Sequence, residues 1–144
     1  ESLGSIYFWR LAIKPGRPIA FGQVLKTPFV GLPGNPVAAM VTFIRIARFI
    51  VLRLSGVSDD IHPKLYRVFA GFDFSSRGGR REWLRAQLKV GNNGDLYAHL
   101  FPAKGSGILS SMVNSSGLVE IGEEMSQIRS GDLVNFLPFN EIYT

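Results

Sequence analysis

The densest chemistry in the chain lies in Gly31-Leu32-Pro33-Gly34-Asn35-Pro36, set between an apolar stretch and a long helical pattern. Glycines there let backbone approach a ligand closely. The helix N-terminus just after them presents N–H groups and a partial positive charge, which suits phosphate or another oxyanion. The same six residues equally well make a stiff strand-to-helix turn that binds nothing, and from residue chemistry alone both readings stand. The spacing is neither a P-loop nor a dinucleotide fingerprint, because the Lys-Ser/Thr pair and the glycine period are absent.

Lys14-Pro15-Gly16-Arg17-Pro18 is the second candidate. Prolines stiffen a turn that carries two cations, and a pre-ordered turn loses less entropy on meeting an anion. Arg17 can grip a phosphate through paired hydrogen bonds, with Lys14 acting as a point charge. In isolation such a pentapeptide is also an ordinary solvated basic turn. Two anion-suited loops within one short region shift the balance toward function.

Pro102-Ala103-Lys104-Gly105-Ser106-Gly107, with Ser110-Ser111 beyond it, is the third. Hydroxyls and backbone N–H groups in a glycine-rich turn can contact an oxyanion, or the loop simply caps the next element. Arg85 falls on the polar side of its strand with Trp83, Gln87 and Lys89, and gains interest only if another surface covers it. His62 and His99 lie far apart and read as surface residues, and Asp59-Asp60 as linker. The chain has no cysteine, which removes disulfides, thiolate metal sites and cysteine nucleophiles. No acid–base pair and no metal-ligating cluster is apparent.

These loops need elements to hold them. Ser5 to Ile13 is rich in aromatic and branched residues and predicts a strand; Ile19–Leu25 and Pro28–Val30 predict two more. Asn35 is a suitable N-cap, Pro36 a suitable first helical residue and Gly56 a helix stop. On a helical wheel Thr42, Arg45, Arg48 and Arg53 fall on one side, with Met40, Phe43, Ile44, Ala47, Val51 and Leu54 opposite. That narrow polar strip predicts a long helix buried over most of its surface. Ser55 to Lys64 reads as a boundary. Beyond it Tyr66, Val68, Ala70, Phe72 and Phe74 alternate with other residues, as do Leu84, Ala86, Leu88 and Val90. Gly91-Asn92-Asn93-Gly94-Asp95 makes a hairpin turn into Leu96, Ala98 and Leu100. With Leu118–Ile121 and Leu133–Leu137, these predict about five short antiparallel strands in a small barrel or sandwich.

The 144 residues suffice for one ordinary domain or two small ones. At 46% hydrophobic and 19% charged, the composition supports a packed core. The net charge of +5 attracts anions of any kind. The cations are spread along the chain, which favours a solvated basic surface over nucleic-acid binding. The run Pro36–Leu54 is interrupted by three arginines, so no membrane span is expected. Glu1 stands first with no leader-like segment after it, which we read as a piece of a longer chain.

Taken in order, these motifs resemble the molybdopterin molybdenumtransferase family, which includes the homologous domain of gephyrin. The resemblance rests on Phe8-Trp9-Arg10-Leu11-Ala12-Ile13-Lys14-Pro15-Gly16-Arg17-Pro18, Ala20-Phe21-Gly22 and Gly31-Leu32-Pro33-Gly34-Asn35-Pro36-Val37. Gly105-Ser106-Gly107 with Ser110-Ser111, and Gly131-Asp132-Leu133-Val134, support it by order. It implies that residues 1–57 are the carboxy-terminal part of a doubly wound α/β domain and 58–144 a small all-β barrel. It further implies a cytoplasmic, magnesium-dependent enzyme that inserts molybdate into adenylylated molybdopterin and releases AMP. The enzyme would be a homodimer, its cleft formed by the α/β domain of one subunit and the barrel of the other. Carried over by position, Lys14 and Arg17 would serve catalysis; the family commonly has lysine where Arg17 stands. Pro33, Gly34, Asn35, Pro36, Arg85 and Ser106 would bind substrate. No metal ligand falls within this chain; the acidic stretch that holds magnesium would lie upstream, so these residues alone would be inactive. A scaffold module of the same family and a basic nucleic-acid-binding barrel are the competing readings, with neither nucleic acid nor membrane among the expected partners.

Overall fold

A β-hairpin organises the first part of the chain. Strands β3 (Ala20–Val24) and β4 (Thr27–Gly31) pair antiparallel from Val24 opposite Thr27 to Ala20 opposite Gly31. Strand β1 (Gly4–Phe8) adds to β3 antiparallel, completing a three-stranded sheet. The computed structural model describes residues 3–101 and 109–142. It divides into two units, Glu1–Ile61 and His62–Thr144.

The strand expected over Ser5–Ile13 stops at Phe8. The register with β3 slips between Ile6 and Phe8, which ends regular pairing. Ile13–Lys14 form a separate short strand, β2. The pairs of this sheet are antiparallel, so the described residues do not themselves display a doubly wound arrangement.

The helical run begins where the sequence places it. Asn35 is the N-cap, its Oδ1 accepting from Ala38 N at 3.1 Å, and Pro36 is the first helical residue. Gly56, at φ +86°, ends the run. Val57 N donates to Leu52 O and Gly56 N to Arg53 O, both at 3.1 Å, satisfying the last carbonyls in a Schellman arrangement.

The long helix expected to be buried over most of its surface is interrupted. The run is α1 (Pro36–Thr42), a π-helical stretch (Phe43–Ala47) and α2 (Arg48–Leu54). A π-turn inserts a residue, rotating the succeeding turns by roughly 100° relative to an ideal wheel. The buried positions are Val37, Ala38, Val41, Thr42, Ile44 and Ala47, whereas Met40, Phe43, Val51 and Leu54 are exposed. Thr42, assigned to the polar side, is fully buried. Its hydroxyl donates to Ala38 O at 2.8 Å and Ala39 O at 3.1 Å, so it carries no unmet polar group into the core.

The second unit is a closed barrel, which decides between the two all-β architectures. Around the ring run β7 (Arg81–Val90), β8 (Leu96–Leu100), β5 (Tyr66–Ala70), β11 (Leu133–Pro138) and β9 (Gly117–Ile121), which pairs back to β7. All pairs are antiparallel except β5 with β8. Closure leaves no open edge in the ring. Val68, Ala70, Ala86, Ala98, Val119, Ile121, Ile128, Val134 and Phe136 fill it, with Leu84 and Leu88 packed against them. The alternation seen in the sequence therefore holds for these strands.

The strand expected to run on through Phe74 breaks after Ala70. Gly71 N turns to donate to Ala98 O at 2.8 Å, and the His99 ring occupies the place a Cβ on residue 71 would need. Phe74–Ser75 form β6, paired with β10 (Gln127–Ile128). Ser110–Val113 form one short helix, α3.

Candidate functional site

The pairing of Ala20 with Gly31 is the last of the hairpin. It therefore sends Pro18-Ile19 and Leu32-Pro33 out of the same end of the sheet. The Lys14–Pro18 loop and the Gly31–Pro36 loop, separated in sequence by the whole hairpin, leave from adjacent positions. A second contact ties them. Gly16 is buried at φ +102°, and a Cβ there would collide with the Thr42 methyl group and stand 3.7 Å from Ala38 O. The first loop thus rests on the helix that the second loop begins.

Within this arrangement Lys14 and Arg17 are both exposed. Arg17 O accepts from Leu11 N at 3.1 Å, which closes the loop and holds the Arg17 backbone while its side chain faces solvent. The Lys14–Pro15 peptide is cis. Pro33 is buried and anchors the second loop, Gly34 is exposed, Asn35 is half-buried and Pro36 exposed. A Cβ on Gly34 would meet nothing within 4 Å among the described residues, so backbone is approachable there. Asn35 has already engaged Ala38 N, so any anion at this helix start would meet backbone upstream of that amide.

Arg85 belongs to the barrel unit. It is half-buried, and desolvation pulls its guanidinium below the ordinary arginine value, although it stays charged. Ser106, with Gly105 and Gly107, lies outside the described residues. Ser111 is fully buried and its carbonyl accepts from the Ser115 hydroxyl, which makes it a structural part of the α3 turn. His62, Asp59 and Asp60 are exposed. Among the described residues no group of three or more histidine, aspartate or glutamate side chains is placed to hold a metal ion. Nor is any helix among them long and apolar enough to cross a membrane.

Residues 67–139 match the model of the MoeA C-terminal region (domain IV). That match covers half of the chain and takes in the barrel strands apart from Tyr66 at the start of β5. The chain belongs to this family. Among curated relatives, the MoeA-family match extends to the molybdopterin molybdenumtransferase of Haemophilus influenzae, 31% identical over 99% of this chain and 35% of that protein. Molybdopterin molybdenumtransferase 2 of Mycobacterium tuberculosis is 32% identical over 88% of this chain and 30% of its own length. A crystal structure of the molybdopterin biosynthesis moeA protein from Pyrococcus horikoshii superposes with a TM-score of 0.72 at 28% identity, over 93% of this chain and 32% of that one. The chain thus spans about a third of the length of these relatives. The likeness covers both units, and the names place the family in molybdenum cofactor biosynthesis.

Several organising residues are not legible in the sequence. Glu82 is only 1% exposed, yet it sits on a strand face that the alternation makes ambiguous. Ser76 Oγ donates to its Oε1 at 2.7 Å and Arg80 Nε at 3.0 Å, which pins the glycine turn at residues 78 and 79 to β7. Trp83, expected on the outward polar face, is buried, and its Nε1 donates to Glu120 Oε2 at 2.7 Å. The available signal is the Arg80-Arg81-Glu82-Trp83 run with Glu120 later in the chain, and only the β7–β9 register, which sets Trp83 opposite Glu120, makes it meaningful.

Proposed function

We propose that this chain is the carboxy-terminal portion of a molybdopterin molybdenumtransferase that inserts molybdate into adenylylated molybdopterin with release of AMP. The observation that carries the reading is the shared end of the β3–β4 hairpin, where two proline-stiffened loops emerge with Lys14 and Arg17 exposed. The names of the relatives supply the substrate class. Lys14 and Arg17 bind and orient the anionic oxygens and stabilise charge as it shifts between phosphate and molybdate. Pro33 and Pro36 hold the second loop in shape, and backbone around Gly34 and Asn35 faces the ligand. Arg85 and Ser106 are offered by the barrel of one subunit to the cleft of its partner in a cytoplasmic homodimer.

Among the described residues no group of three or more acidic or histidine side chains is placed to hold magnesium. The proposal therefore assigns the magnesium ligands to protein outside these 144 residues, and no step here depends on the ion. The deciding experiment replaces Lys14 with Ala in the complete protein and measures molybdenum insertion. Loss of insertion with adenylylated substrate still present supports the transferase. Unchanged insertion with altered partner binding favours a scaffold instead.

A further inference from the structure

A hollow of about 410 Å³ opens on the outside of the barrel, lined by Gln87, Phe101, Val113, Asn114, Ser115 and Ser116. Its size falls within the range of small-molecule sites. Its chemistry is specific. None of the six is charged. Phe101 contributes an aromatic ring and exposed Val113 an apolar lip. The remaining four carry amide or hydroxyl groups, and the hydrogen bonds around them limit what each has left to offer.

Asn114 Nδ2 donates to Ser110 O at 2.9 Å, which leaves its Oδ1 as acceptor. Ser115 Oγ spends its proton on Ser111 O and likewise keeps acceptor capacity. Ser116 Oγ accepts from Leu88 N at 2.8 Å and retains its own proton to donate. Gln87 is exposed and brings both a donor and an acceptor. One ring beside a rim of mixed, uncharged donors and acceptors suits a planar heterocycle with mixed polar edges, not a phosphate. Phosphate would be met one step away. Arg85 is the preceding residue on the same side of β7, roughly 7 Å along the strand, and Arg85 O accepts from Phe101 N at 3.1 Å.

We propose that this hollow seats the flat heterocycle of the substrate, a purine or a pterin, while Arg85 meets the phosphate attached to it. This rests on the transferase reading and adds Gln87, Phe101 and Ser116 as specificity residues for the ring.

The test is calorimetric titration of the complete protein with three probes: AMP, neopterin and inorganic phosphate. Gln87→Leu removes the exposed amide, Phe101→Leu removes the ring, and Val113→Trp narrows the hollow from an exposed lip position without touching the core. Each is expected to weaken one heterocyclic probe about tenfold and leave phosphate binding unchanged. Weakening of AMP alone assigns the hollow to the purine, and of neopterin alone to the pterin. Arg85→Ala should weaken AMP and phosphate together. Heterocycle binding that is absent from the unmodified protein, or indifferent to all three hollow variants, overturns the proposal. The Lys14 insertion assay is independent of that result, so the transferase reading can stand when the hollow assignment falls.

Discussion

Gly16 lies against Thr42, with no room for a Cβ between the turn and the helix. This contact seats a basic turn on the helix that starts at Pro36, and it makes the geometry of the two loops a property of packing as much as of loop sequence. Replacing Gly16 with Ala adds a left-handed backbone strain at φ +102° to a clash with the threonine methyl. We expect a loss of about 1–3 kcal/mol in denaturant unfolding. Thr42→Ser in the same background, which removes the methyl and keeps the hydroxyl, should restore the steric part only. Full recovery in the double variant would show that the backbone conformation contributes nothing.

Lys14→Ala and Arg17→Ala in the complete protein should each lower insertion by roughly 100-fold, the usual scale for one charge-stabilising donor. Both side chains are exposed, so melting temperature should hold. Arg17→Lys keeps the charge and should recover most of the rate if Arg17 acts as a point charge. Steady-state rates at saturating substrate distinguish that from a loss of binding.

Removing the cap at Asn35 should cost about 0.5–2 kcal/mol, because Ala38 N then has no side-chain acceptor. Asn35→Asp supplies the same oxygen and should be nearly neutral, while Asn35→Ala should not. Thermal unfolding of the two variants side by side measures the difference.

Glu82→Ala should be among the most damaging barrel substitutions. It leaves Ser76 and Arg80 without their shared acceptor and opens space beside β7, at about 2–4 kcal/mol. Glu82→Gln keeps the shape and one acceptor and should cost less. Equal losses for the two would mean that the retained volume contributes nothing and the carboxylate charge is decisive.

The Tyr66 hydroxyl donates to Glu141 Oε1 at 2.7 Å, and this hydrogen bond chiefly raises the phenol above its ordinary value of 10.0. A raised acid favours its neutral form in the folded chain. The stabilisation is therefore complete below the unfolded value and is lost as pH climbs through the folded one. Ultraviolet titration should show Tyr66 ionising late, and Glu141→Gln should bring it earlier. A profile unchanged by that substitution would rule the contact out as the cause.

Much of the architecture is legible in the order of residues. Period-two alternation at Val68 and Ala70, and at Leu84, Ala86 and Leu88, marks the residues that fill the barrel. Asn35, Pro36 and Gly56 mark both ends of the helical run, since capping depends on residues only a few positions apart. The expectations that failed all depend on a distant neighbour or a local irregularity. The helix wheel put Thr42 on the polar side with three arginines, but two local carbonyls satisfy its hydroxyl, so burial costs little, and the π-turn that follows separates it from those arginines. Trp83 is buried because Glu120, thirty-seven residues away, receives its indole N–H, a pairing that leaves no local trace.

Local interactions determined the helix caps, the hairpin turn and the barrel strands' alternation, because spacing, capping and backbone freedom are encoded within a few residues. Only the tertiary structure decided that the barrel closes through β7 and β9, that Ala20 faces Gly31, and that two separate loops therefore leave one end of one hairpin. Strand register is a contest between long-range pairings for the same buried space. No short stretch of chain holds the information that settles it.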